Sequence, residues 1–349
     1  MKAARESWIN PVLALALCAG AGAACAWLRI PLPWMIGPLV AMAACNFAGV
    51  GLRAVRGGRE VGQTVIGTAL GLYFTPLVAR EVVSYWPLLL AGGLFAVFLG
   101  VLGGWILRRT TGVDATTAFF ASVPGGAAEM TLLGERYGAR ADRVALAQSL
   151  RILVVVIVVP FALTYSGAHG TDLYQPAPLP LQWERLALLL AVGAGAGAVL
   201  AHLGMANAFM FGPLAVAVVL TVGEVELSSL PSHLSNAAQV LLGSTLGARF
   251  ERRSLRSAPR YVLGVLASVV AVIVAAAAFA FLMAAASGLP APTLVLAMAP
   301  GGIAEMCITA KVLQLGVPLV TAAQVARVLI LITTTGPGFR LIRSARTIS

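Results

Sequence analysis

The chain has 349 residues, of which 59% are hydrophobic and 11% charged, with a mean hydropathy of +0.92. A soluble domain carries about 25% charged residues, so a soluble globular protein is excluded. The net charge of +11 lies in short basic clusters between apolar segments. No polar stretch is long enough to hold a nucleic-acid-reading domain, and direct contact with nucleic acid is not expected.

The expected fold class is an all-α polytopic membrane protein, because long apolar runs recur and about 20 helical residues cross a bilayer. "MKAARES" followed by an apolar run to Trp27 has the outline of a secretory signal. The same segment has a counterpart later in the chain, so it is read as a retained span. Spans are predicted over 10–28, 33–50, 61–79, 86–107 and 143–165. Between the last two lies 114–136, long enough to cross but interrupted by Pro124-Gly125-Gly126, which break a helix. A polar linker follows at 166–183.

The second half then repeats the first. "PGGAAEM" (124–130) returns as "PGGIAEM" (300–306), 176 residues later. At the same offset Gln148 matches Gln324, Arg151 matches Arg327, and "VGQTVIGTALG" (61–71) matches "AAQVLLGSTLG" (237–247). "PWMIGPL" (33–39) matches "AFMFGPL" (208–214) at offset 175. The chain is therefore a tandem duplication, a first membrane repeat over 8–165 and a second over 184–341. The four cysteines lie in apolar segments and read as free thiols. The three histidines stand in separate connectors, so no metal site is expected. "GAGAGA" (193–198) falls inside a span and reads as close helix packing, not as a phosphate loop.

Charge then orients the repeats. If each repeat crosses five times and its broken segment re-enters, the second repeat is inverted. With the N-terminus inside, 18 of the 24 basic residues then fall on the inner side. Six crossings would place the basic stretch 248–260 outside. The expected location is a bacterial cytoplasmic (inner) membrane, with both termini cytoplasmic and the 166–183 linker periplasmic. Inverted repeats whose broken helices meet near mid-membrane are a plan of secondary transporters, and irregular backbone at that depth lines a cavity or is buried in protein.

The candidate substrate or ion site therefore comprises Pro124, Gly125, Gly126, Glu129, Gln148 and Arg151 with Pro300, Gly301, Gly302, Glu305, Gln324 and Arg327. Glu129 and Glu305 have two readings, as caps of the half-helices or as a cation or proton site. Arg151 and Arg327 snorkel, pair with the glutamate of their own half, or hold an anionic group. Gln148 and Arg151 share a helix face at i,i+3, as do Gln324 and Arg327. Gln63 and Gln239 read as interhelical hydrogen-bond formers.

The paired PGGxAEM with a downstream QxxR resembles the membrane AbrB family, whose members carry an internal duplication, over nearly the whole chain. Labels attached to that family, transcriptional regulator and ammonia monooxygenase, are not what these residues predict. A copper monooxygenase needs clustered His ligands, and a DNA-binding regulator needs a soluble reader. At the level of fold, five spans and a Gly-Gly re-entrant loop also resemble the glutamate:sodium and citrate:sodium symporters. The expected function is secondary transport of a small anionic or zwitterionic solute by alternating access, coupled to H⁺ or Na⁺. No enzyme activity and no cofactor beyond a bound Na⁺ or H⁺ are expected, and a homodimer in the lipid bilayer is expected by analogy. A small-solute, ammonia-like channel and a membrane-embedded regulator of gene expression acting through a partner are the alternatives.

Overall fold

The computed structural model describes residues 2–170, 179–225, 228–250 and 258–347. Part of the 166–183 linker and most of the basic stretch 248–260 lie outside these residues. So do the side chains of Lys2, Arg5, Arg340, Arg343 and Arg346.

Every regular element among the described residues is an α-helix. In the first repeat they are α1 (Lys2–Trp27), α2 (Pro33–Phe47), α3 (Gly58–Gly71), α4 (Pro76–Ser84), α5 (Trp86–Thr111), α6 (Ala115–Ser122), α7 (Ala127–Arg136) and α8 (Ala141–Tyr165). The second repeat contributes α9 (Trp183–His202), α10 (Ala208–Val222), α11 (Ser232–Gly247), α12 (Pro259–Ser287), α13 (Ala291–Met298), α14 (Ile303–Leu313) and α15 (Val317–Thr347). Six of these helices are long and apolar enough to cross a membrane, from α1, α5, α8, α9, α12 and α15. The protein is a multi-pass helical membrane protein.

Two predicted spans differ in form. The segment read as one span over 61–79 is two helices, α3 and α4, set at 91°. Pro76 explains the corner, because it has no N–H to continue α3 and it biases Thr75 away from helical geometry. The helices at 33–47 and 208–222 have 15 residues each, about 22 Å at 1.5 Å per residue, less than the roughly 30 Å of hydrocarbon.

The chain forms two compact units, and their boundaries do not follow the repeats. The first contains residues 1–81, 160–256 and 311–318, and the second 82–159, 257–310 and 319–349. Each unit thus takes elements from both repeats. The chain passes between the units inside α4 after Glu81, inside α8 at Pro160, ahead of α12, inside α14 after Ala310 and near the start of α15 at Pro318.

In the first unit, α1 packs on α2 and α9 on α10 within their own repeats, while α3 packs on α10 and α11 on α2 across repeats. Glycines make the cross-repeat contacts. A Cβ at Gly67 or Gly71 of α3 would lie within 3.0 Å of the carbonyl oxygen of Met210 or Leu214, and one at Gly243 or Gly247 of α11 equally close to that of Met35 or Leu39. These are small-xxx-small pairs that let backbones touch, the packing that works where solvent gives no hydrophobic drive. Gln63 bridges α3 to the start of α10 as expected, donating to Asn207 Oδ1 at 3.3 Å, alongside Arg59 at 3.0 Å.

In the second unit, α5 lies against α12. Phe95 stacks on Phe279 at 3.9 Å between centroids, and Ser268 Oγ donates to Gly103 O at 2.9 Å. Both helices end the same way, on Gly112 and Gly288 in the left-handed region (φ 69° and 71°). The broken pair α6–α7, all of α13 and α14 as far as Ala310 belong to this unit.

Candidate functional site

Each break begins as an ordinary helix end. Val123 N still donates to Phe119 O at 3.0 Å, but Pro124, which lacks an N–H, removes the donor that would reach Phe120 O. Gln148 of α8 supplies the missing donor. Its Nε2 donates to Phe120 O at 2.8 Å and to Val123 O at 2.9 Å. One turn on, Arg151 Nη1 donates to Val123 O at 2.9 Å and Nη2 to Gly125 O at 3.1 Å.

The second break repeats this bond for bond at the 176-residue offset. Gln324 Nε2 donates to Leu296 O at 2.8 Å and Ala299 O at 3.2 Å. Arg327 donates to Ala299 O at 2.6 Å and Gly301 O at 2.7 Å. The glutamines are wholly buried and the arginines 4% exposed. Irregular backbone at membrane depth survives only when its polar groups are satisfied, and here two charged forks and two amides do so. Arg151 and Arg327 lie within electrostatic range of each other, and Leu331, one turn beyond Arg327, packs in the same cluster as Phe120, Val123 and Met130 of the first break.

The rest of the motif has a steric logic. A Cβ at Gly125 would meet the Met130 side chain at 2.8–2.9 Å, and one at Gly301 the Met306 side chain at 2.9–3.0 Å. The methionine folds back over the first glycine and plugs the break. The second glycine, Gly126, is the N-cap of α7 with no side-chain cap, so the first N–H groups of α7 are not met by a capping side chain. Glu129 and Glu305 stand in the first turn of α7 and α14, where the helix dipole favours negative charge. Both residues are half-buried.

The glutamates differ in detail. Glu129 Oε2 is buried without a hydrogen-bond partner, and the pairing of Glu129 with Arg151 is not made, because the terminal nitrogens of Arg151 serve carbonyls. The Glu305 carboxylate lies over Gly302, where a Cβ would collide with it, and its charge acts on Arg327.

The model of the family described as "Transition state regulatory protein AbrB" matches residues 34–343, which include both breaks and both Gln–Arg pairs. The chain belongs to the AbrB family. It is 26% identical over 367 aligned residues to "Uncharacterized protein YhjN" of Bacillus subtilis (strain 168), covering 97% of this chain and 94% of that protein. It is 28% identical over 313 residues to "Putative regulator AbrB" of Escherichia coli (strain K12), covering 89% of each.

The sequence pattern gathers twelve residues into one candidate site; the structure places each Gln and Arg on the carbonyls of its own break, which that pattern does not reveal. The pattern also passes over Met130 and Met306, although both stand in the repeated heptapeptide. The Gly67/Gly71 and Gly243/Gly247 pairs were visible as a small-xxx-small spacing inside the aligned segments. Their partners were not.

Proposed function

We propose that this AbrB-family protein is a secondary transporter of a small anionic or zwitterionic solute, working by alternating access and coupled to H⁺ or Na⁺. The observation that carries the reading is the pair of identically braced helix breaks in one compact unit, each opening a half-helix with a glutamate in its first turn. The positive end of a helix dipole attracts an anionic group. A carboxylate beside it takes up a proton or cation. Gln148, Arg151, Gln324 and Arg327 act as positioning residues: their donors hold the breaks open, and the two buried guanidiniums bias the site toward negative charge. A neutral-solute pore has little use for ionisable groups that cost at least about 2.5–3.5 kcal/mol each at mid-bilayer.

The basic clusters support two inverted repeats with cytoplasmic termini in an inner membrane. A thiol-reactive, impermeant label should then reach Asp172→Cys from outside and not Ser254→Cys, and the opposite pattern would overturn the inversion.

Transport is tested in proteoliposomes with a panel of small carboxylates and amino acids. Wild type should accumulate at least one solute under an imposed pH or Na⁺ gradient, and Glu129→Gln should lose the gradient dependence while remaining folded. Uptake by the variant with unchanged pH and Na⁺ dependence would sink this reading. The name of the Escherichia coli relative favours a regulatory role as a second reading. A transport-inactive variant that still alters gene expression would establish that role as separate.

A further inference from the structure

Just before the break the two copies of the motif part at two positions, Ser122 against Met298 and Val123 against Ala299, and the first of these changes polarity. The first copy runs Ser122-Val123-Pro124-Gly125-Gly126 and the second Met298-Ala299-Pro300-Gly301-Gly302. Next to Ser122 lies a small cavity in the second compact unit, about 10 Å³, whose polar lining is Ser122, Arg151 and Ser268 and whose apolar walls include Leu107, Val269 and Val272. That is room for about one water molecule. At the matching point of the second copy Met298 extends instead to α5, where a Cβ on Gly92 would lie 2.6 Å from its sulfur.

The donors and acceptors lining the cavity set what fits it. Arg151 is 4% exposed, its two terminal nitrogens are committed to carbonyls, and its Nε–H has no acceptor. Ser268 has given its hydroxyl proton to Gly103 O at 2.9 Å and so offers lone pairs. The Ser122 hydroxyl can rotate to give or take. A water molecule matches this set, since it accepts from the guanidinium and donates to Ser268. A small anion would satisfy Arg151 but face the lone pairs of Ser268. Arg327 Nε of the second copy is likewise without an acceptor, but there Met298 stands where Ser122 does in the first; beside Arg151 an unmet donor, room for a water and the Ser268 lone pairs meet.

We propose that the cavity between Ser122, Arg151 and Ser268 binds a single structural water molecule, and that this site exists in the first repeat only. The two breaks are then not interchangeable. The first is braced through a water that can exchange, and the second is sealed by a methionine.

A map of the intact protein in nanodiscs, at a resolution that shows ordered water, should carry one peak within hydrogen-bonding distance of both Arg151 Nε and Ser268 Oγ. No equivalent peak is expected where Met298 stands. An empty cavity, or a peak that gains bromide signal after halide exchange, would overturn the proposal. Val269→Ile adds one methylene to the wall and checks it independently. With water present it should lower Tm, because the added methylene displaces the water and leaves Arg151 Nε unmet, and its map should lack the peak. A rise in Tm would mean the cavity is dry and would overturn the site.

Discussion

Pro124 takes away one N–H, and Gln148 gives one back. That exchange, repeated by Pro300 and Gln324, makes each glutamine a structural necessity of its break. Gln148→Leu and Gln324→Leu should each lower unfolding free energy by about 1–3 kcal/mol, the usual cost of leaving a buried carbonyl unmet. The two losses should be alike, since the bonds match; thermal unfolding in detergent measures both. Effects differing by more than 3 kcal/mol would show that the bracing is unequal. Arg327→Lys keeps the charge but has one nitrogen, which cannot span Ala299 O and Gly301 O as the guanidinium fork does. At Gly125, replacement by Ala should cost about 1–3 kcal/mol by overpacking against Met130. Gly125→Ala combined with Met130→Ala should cost less than the sum of the single changes, because the two residues share one space. Additive costs would show that Met130 is not the plug.

Among the helices, α3 and α11 cross to the other repeat on glycine, while Gly37 of α2 and Gly212 of α10 serve the close packing within each repeat. The crossings of α3 and α11 each use a pair of glycines four apart, Gly67/Gly71 on α10 and Gly243/Gly247 on α2. Any side chain there pushes two backbones apart along several residues. Gly243→Leu is therefore expected to abolish the folded peak in gel filtration, whereas Gly20→Leu, at a site with nothing within 4 Å, should leave it intact. Loss of folding in both variants would place the constraint on α1 as well. The corner between α3 and α4 is of the same kind, a local stop written by Thr75-Pro76.

At the scale of the whole molecule, the duplication and the compact units cut the chain differently. Each unit holds pieces of both repeats, so neither repeat can complete a core from its own residues. Residues 1–175 or 176–349 expressed alone should be degraded or aggregate, and co-expression of the two should restore a complex that co-purifies. A first half that folds alone as a stable monomer would refute the interlocking.

Composition alone determined that the chain is a multi-pass helical membrane protein, because apolar length and scarcity of charge are properties of the chain before it folds. Self-comparison determined the duplication, the positions of both breaks and the twelve residues around them, since Pro and Gly act on the backbone at their own positions. The tertiary structure alone decided the partners. Gln148 and Arg151 reach carbonyls 25 to 28 residues earlier in the chain, and α3 finds its neighbour some 143 residues away. Periodicity reports that a helix has an apolar or small-residue face, but not which helix meets it. It also does not distinguish an arginine that waits for a substrate from one whose hydrogen bonds are already spent on the backbone.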